Sequence, residues 1–213
     1  MSRLLLLGGG GHCVSVADTI LRCGKYEEIG IVQNEHRDAL FDIIPVIGND
    51  DDLPRLLSAG YTHAFITVGS IGDISIRKYL FNKIKSLGFY IPNIIDPSSI
   101  IGKNVVMGTG SFIGKNAIIN AGCILGQAVI INTAAVVEHN CTIANYVHIS
   151  PSATLCGNVM VGVGSHIGAG AVIRQGVKIG EKCIIGMGSV VIKDVPDGTI
   201  VAGNPAKKLE NKM

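Results

Sequence analysis

The stretch that decides the fold begins at residue 101 and runs IGKNVVMGTGSFIGKNAIINAGCIL through residue 125. Every sixth residue in it is a branched aliphatic or methionine: Ile101, Met107, Ile113, Ile119, Leu125. The register continues unbroken through Ile131, Val137, Ile143, Ile149, Leu155, Val161, Ile167, Ile173, Ile179 and Ile185 to Val191. Four residues after each of these comes a small residue, such as Ser111, Ala117, Cys123 or Val129. A period of six fits neither a lone helix nor a flat strand pair. It fits a coil of short strands with a turn every six residues.

Three hexads close one triangular coil. Residues i and i+18 then stack at the strand spacing of about 4.8 Å. The aliphatic position is expected inside the prism and the small residue inside the corner. Glycine often follows the aliphatic residue (Gly102, Gly108, Gly114, Gly126, Gly162, Gly168, Gly180, Gly186). Turn geometry with positive φ is the expected reason. The register places His139 against Gly157, His148 against His166, and Ala169 against Met187. It also stacks Cys123 on Cys141, as small core residues at the turn position. No long loop interrupts the coil between Ile101 and Val191.

The rhythm changes on the N-terminal side of Pro92 and Pro97. Residues 1–96 alternate apolar strands with helical stretches, which predicts a small parallel α/β sheet. Strands are expected at Arg3–Leu7, Ile29–Val32, Asp42–Val46, Ala64–Val68 and Phe89–Ile91. Helices are expected from Cys13 to about Arg22, near Leu53–Ala59, and from Ile74 to about Leu87, where Gly88 suits the stop. The domains are thus 1–96 and 97–213.

The composition is 47% hydrophobic and 16% charged, with 28 glycines, in keeping with a core-rich fold of many tight turns. No apolar run reaches the length of a membrane span. Arg3-Leu4-Leu5-Leu6-Leu7 is cut off by Gly8–Gly11 too early for a signal peptide. A net charge of +2, with Lys207-Lys208 as the one basic cluster, argues against nucleic acid as partner. Six cysteines without a CxxC pair read as reduced thiols in a cytoplasmic protein.

The hexads resemble those of the left-handed β-helix acyltransferases. The order of α/β domain, coil and terminal Gly203-Asn204-Pro205-Ala206-Lys207 resembles one subfamily more narrowly. It contains bacterial acetyltransferases of nucleotide-linked amino sugars and the sialic-acid O-acetyltransferases. Gly8–His12, Asn132-Thr133, Glu138-His139 and His148 carry that likeness. It implies an N-terminal Rossmann-like subdomain, a left-handed coil, acetyl-CoA as co-substrate and a homotrimer. The expected activity is N-acetylation of a nucleotide-linked amino sugar in glycan biosynthesis. O-acetylation of a sugar such as sialic acid is the alternative within enzymes, and a sugar-nucleotide-binding scaffold the alternative outside them.

Acetyl transfer needs a base, an oxyanion donor and a groove that holds the thioester in line. His139 sits two residues past Val137, an outward place on the coil. A glycine amide stacked beside it is a plausible oxyanion donor. The resemblance makes His139 the general base, gives the acetyl carbonyl to the Gly157 amide, places His148 at the thioester, and puts Asn132 near the acceptor. It also puts Ala169 and Met187 along the pantetheine arm. Lys207 or Lys208 meets phosphates, or forms a solvated tail. His148 and His166 stack, but two histidines five residues apart, as in β-helix carbonic anhydrases, do not occur, so no metal is expected. His166 is expected to be solvent-exposed.

This chain departs from the family pattern twice. Asn140 follows the base where many members carry an acidic residue. An asparagine orients an imidazole without supplying charge, so Asn140 joins His139 and Gly157 in the catalytic set. The glycine run between strand and helix is a poor dinucleotide fingerprint, with Cys13 at the third place. By resemblance it holds the nucleotide sugar, with Gly10, Gly11 and His12 at the ligand. Gly69 and Ser70 are expected to line the same crevice. After the second strand, Gln33-Asn34 stands where members acting on UDP-linked sugars often carry acidic residues, which leaves the nucleotide open.

Overall fold

In the computed structural model, residues 2–34, 40 and 43–209 are described. The chain forms two compact units. The first comprises Met1–Gly69 and Ser75–Pro97, the second Ser70–Ile74 and Ser98–Met213.

The first unit is a four-stranded parallel sheet. Its strands are β1 (Ser2–Leu7), β2 (Tyr26–Val32), β3 (Val46–Gly48) and β4 (His63–Ile66), in the order β3-β2-β1-β4. Central β1 has partners on both edges, and Leu4 to Leu7 are all fully buried, which is why they read as a continuous apolar run. Helix α1 (Gly11–Cys23) buries Cys13, Val16, Ala17 and Ile20 and ends at Gly24, whose left-handed φ of 61° lets its N–H reach Ile20 O at 3.2 Å. Helices α2 (Leu53–Ser58) and α3 (Ser75–Ser86) complete the unit.

The expected third strand is displaced. Asp42 lies outside the described residues, and pairing with β2 begins at Val46. Pro45 has no N–H to donate, so only its carbonyl takes part, accepting from Ile31 N at 2.9 Å. At Phe89–Ile91 there is only an isolated bridge between Tyr90 and His63.

The second unit is the coil, a left-handed parallel β-helix. Its two-residue strands pair strictly eighteen residues apart, as in Ile130↔His148 and Ile131↔Ile149. One face stacks Ile100, Ile118, Val136, Thr154, Val172 and Val190. A second runs from Val106 to Lys178, and a third carries Phe112, Ile130, His148, His166 and Ile184. Ile113 through Ile185 in the aliphatic series are at most 3% exposed, each such burial stabilising by roughly 1.5–3 kcal/mol. Ile101, in the open first coil, is 36% exposed. Inside the corners the small residues also satisfy the backbone. Ser165 Oγ accepts from Cys183 N at 2.8 Å and donates to Gly180 O at 2.6 Å. Lys207–Lys208 pairs antiparallel with Val201–Ala202, both lysines exposed.

The glycines after the aliphatic residue correct the expectation about φ. None of them has positive φ; the left-handed residues fall two places later, as in Asn104, Gly110 and Asn116. Close approach is the reason instead. A Cβ on Gly162 would stand 2.5 Å from Gly180 C and 2.6 Å from Glu181 N, and one on Gly168 would stand 2.5 Å from Met187 N.

A short segment, Ser70–Ile74, belongs with the coil rather than with the sheet around it in sequence. Ser70 O meets His148 Nδ1 at 3.1 Å, a Cβ on Gly72 would stand 3.0 Å from Ile184 Cδ1, and Ile74 packs at Gly164.

Candidate active site

The coil brings the expected catalytic residues together. His139 is exposed and Gly157 buried, one coil apart. The imidazole lies over the Gly157 α-carbon. A Cβ there would be 2.5 Å from Cε1 and 2.6 Å from Nε2. Only glycine leaves room for this ring position. The turn amides at Ala121 and Thr133 are capped by the asparagine preceding each, at 2.8 Å, and that of Glu181 by Asp197 at 2.7 Å. Cys156 precedes Gly157 and has no oxygen on its side chain with which to cap it.

Asn140 reaches the ring from the other side. Its Nδ2 lies 3.3 Å from His139 Nδ1. Turned by half, the amide would present Oδ1 to Nδ1, hold the proton there and leave the Nε2 lone pair to accept one. Asn140 adopts left-handed φ, 59°, as asparagine does more readily than most side chains. Glu138 does not serve the ring. Its Oε2 accepts from Asn120 Nδ2 at 2.9 Å and from His139 N at 3.4 Å. The carboxylate thus braces the turn that carries His139.

Asn132 and His148 are neighbours, with Nδ2 and Nε2 3.4 Å apart. His166 stacks on His148, the ring centroids 4.9 Å apart at 84°. Contrary to expectation His166 is buried, only 7% exposed, because it lies on the face along which Ser70–Ile74 runs. Burial lowers its pKa, and its Nε2 meets Ser150 Oγ at 3.2 Å. Ala169 and Met187 are exposed and stacked, with Gly188 N donating to Ala169 O at 2.8 Å.

Cys123 and Cys141 are fully buried free thiols. Each thiol donates to a backbone carbonyl, Cys123 Sγ to Glu138 O at 3.0 Å and Cys141 Sγ to Cys156 O at 3.3 Å.

The first unit holds a separate cleft of about 310 Å³ at the C-terminal ends of its strands. Gly8, Gly9 and Gly10 form one wall, Val32, Gln33, Asn34 and Asp50 another, and Val68, Ile76 and Leu80 the apolar floor. The glycine loop is held open by packing. A Cβ on Gly9 would overlap Gln33 Oε1, at 1.9 Å, and one on Gly8 would meet Val68 Cγ2 at 2.6 Å. Gly10 caps α1 and lines the cleft. Gly11 and His12 open the helix, and His12 Cβ lies 3.8 Å from the Cβ position of Gly69. These three residues are not in the cleft wall.

Asp50 escaped the sequence reading. The Asn49-x-x-Asp52 capping pattern is the signal in the sequence that marks its turn. Asn49 Oδ1 accepts from Asp51 N at 2.9 Å while Asp52 Oδ2 accepts from Asn49 N at 3.0 Å. That backbone bond, followed by Arg55, holds the Asp52 carboxyl below its usual range. The box fixes the turn and with it Asp50, so an acidic residue does line the cleft, from the turn after β3 rather than from the end of β2.

Comparison with known proteins agrees with this fold. Residues 3–84 match the model of the PglD N-terminal domain, and residues 158–193 match that of the hexapeptide repeat of succinyl-transferase. A comparison with curated proteins gives no match. Among solved structures, the acetyltransferase domain of PglB from Neisseria gonorrhoeae FA1090, in complex with acetyl coenzyme A, is 37% identical. The TM-score is 0.91, over 97% of this chain and 98% of that one. GDP-perosamine N-acetyltransferase from Caulobacter crescentus, a histidine-to-alanine mutant in complex with CoA and GDP-perosamine, is 34% identical. The TM-score is 0.93, over 99% of this chain and 98% of that one. WeeI from Acinetobacter baumannii AYE, at 24% identity and a TM-score of 0.87, shares the fold. With over a third of its residues shared across nearly the full length of such a relative, the chain belongs to the hexapeptide-repeat family of sugar N-acetyltransferases.

Proposed function

We propose that this chain transfers an acetyl group from acetyl-CoA to the amine of a nucleotide-linked amino sugar, in glycan or surface-polysaccharide biosynthesis. The observation that carries the reading is the His139 ring lying on Gly157, which sets an imidazole beside a turn amide that the Cys156 side chain before it cannot cap. His139 Nε2 takes a proton from the sugar amine as nitrogen attacks the thioester carbonyl. The Gly157 N–H receives the developing oxyanion, and the tetrahedral intermediate collapses with coenzyme A leaving as the thiol. Asn140 holds the imidazole in the accepting tautomer. The cleft walled by Gly8–Gly10, Gln33, Asn34 and Asp50 takes the nucleotide, as an α/β sheet does at the ends of its strands. Support comes from the relatives solved with acetyl coenzyme A and with CoA and GDP-perosamine.

His148 lies at the thioester and Ala169 and Met187 along the pantetheine arm, stacked as an extended ligand requires. A homotrimer goes with this reading, since the coil leaves Val106, Ile124 and Met160 46–61% exposed in one outward stripe. A cytoplasmic location goes with it as well, given free thiols at all six cysteines. No helix among the described residues is long and apolar enough to cross a membrane.

The test is acetyl transfer followed by mass, against amino and hydroxyl sugars carried on uridine, guanosine and thymidine diphosphates. Acetylation of an amino sugar nucleotide is expected. Transfer only to hydroxyls would move the assignment to O-acetylation. No turnover and no coenzyme A binding would leave a sugar-nucleotide-binding scaffold.

A further inference from the structure

Asn132, His148 and Ser70 form a chain of hydrogen bonds whose direction is fixed by backbone groups at both ends. At one end the Thr133 N–H donates to Asn132 Oδ1 at 2.8 Å, and the Thr133 hydroxyl adds a longer contact at 3.5 Å. A backbone N–H can only donate, so this end of the amide is its oxygen. The other end, 3.4 Å from His148 Nε2, is therefore the nitrogen. A primary amide nitrogen donates and does not accept, so Nε2 must receive the bond with its lone pair. At the far end His148 Nδ1 lies 3.1 Å from the Ser70 carbonyl oxygen, which can only accept, so Nδ1 carries the proton.

The two ends were free to disagree, and they specify the same species, the neutral Nδ1–H imidazole. A second proton, on Nε2, would point at the Asn132 N–H. Turning the amide to relieve that would set its N–H against the Thr133 N–H. The neighbour on the next coil reinforces the arrangement. His166 packs edge-to-face on His148 with centroids 4.9 Å apart, and is itself pinned at Nε2 by Ser150 Oγ. Burial disfavours charge on His166, so the pair consists of two neutral rings.

We propose that His148 is a positioning residue and not a proton carrier: locked as the neutral Nδ1–H tautomer, it holds the Asn132 amide so that its second Nδ2–H is offered to an oxygen of the bound substrates. Proton transfer is then left to His139 alone. This rests on the reading of the coil as the acetyl-transfer site, but the tautomer itself does not.

The experiment is a long-range ¹H–¹⁵N spectrum of the histidine-labelled protein between about pH 6 and 8.5, with His148→Gln to assign the signal. The Nδ1–H pattern, unchanged across that range, is expected. An Nε2–H pattern, or titration within the range, overturns the proposal. Asn132→Asp keeps the shape and replaces the donor by an acceptor. In that variant His148 is expected to take up its second proton, and kcat to fall about tenfold or more with a smaller change in the KM for acetyl-CoA. A His148 that stays neutral beside the introduced carboxylate, or an Asn132→Asp enzyme with parental kcat, also overturns it. If the wild-type spectrum is as expected and no acceptor is ever acetylated, the function assigned to the chain fails while the locked tautomer stands.

Discussion

The imidazole of His139 occupies the space that a side chain at position 157 would fill. Nε2 lies 2.6 Å from where the Cβ would stand. Gly157 has no positive φ, so its backbone alone would tolerate alanine. Gly157→Ala is therefore expected to spare the fold, since the exposed ring can swing aside, and to cost about 100-fold in kcat/KM through misplacement of the base. Circular dichroism with steady-state kinetics checks this. His139→Ala should abolish transfer with the fold intact, and near-normal turnover in either variant would remove the pair from catalysis.

Asn140 meets His139 Nδ1 at 3.3 Å without bringing charge. Asn140→Asp adds a carboxylate at the same place and keeps a residue that accepts left-handed φ. An adjacent negative charge favours imidazolium, so the acidic limb of the kcat/KM profile should move to higher pH than in the parent. A pH–rate series on both enzymes shows it. An unmoved limb means that residue 140 does not touch the base.

Gly9 is covered by the Gln33 side chain, and a Cβ there would overlap its Oε1. Gly9→Ala should expel Gln33 from the cleft wall and raise the KM for the nucleotide sugar about tenfold, the worth of one good hydrogen bond. The KM for acetyl-CoA should stay near parental. Gly10 has nothing within 4 Å of its Cβ position, so Gly10→Ala leaves Gln33 in place and separates the loss of Gln33 from a change in the loop itself.

A Cβ on Gly162 would stand 2.5 Å from backbone of the next coil. No side chain can yield there, so Gly162→Ala should destabilise by about 1–3 kcal/mol, read as a lower denaturant midpoint at unchanged slope. A midpoint equal to the parent's would show that the coils can separate locally.

His166 has its pKa lowered by burial, from a usual value of 6.5. The unfolded chain then binds the extra proton first. The stability this group contributes is complete above about pH 6.5 and is lost as pH falls through that value toward the lower folded pKa. His166→Gln should flatten the decline in melting temperature between about pH 7 and pH 5. Some slope should persist, because His63 is shifted the same way by the same cause. An identical slope in parent and variant would exclude His166 as its source.

The hexad register by itself determined the coil, its pairing eighteen residues apart, and the meeting of His139 with Gly157. One dimension suffices for this because a solenoid repeats, and each residue's vertical neighbour is set by counting. The α/β half was legible as a class, since Leu4–Leu7 and the spacing of α1 and α3 are local patterns. Its third strand moved because Pro45 removes a donor that hydropathy does not register. Counting also explained the glycines wrongly, since Gly162 and Gly168 answer to the backbone one coil above and not to their own φ.

Only the tertiary structure decided what comes from distant sequence. Asp50 reaches the cleft of the first unit through a capped turn that no periodicity marks. Ser70 reaches His148 across 78 residues of chain, and with it come the tautomer of His148 and the burial of His166. A repeat fixes which residues stack within the coil. It says nothing of a segment from outside the repeat that lies along one face, because the hydrogen bonds and burial such a segment supplies depend on where the whole chain returns in space.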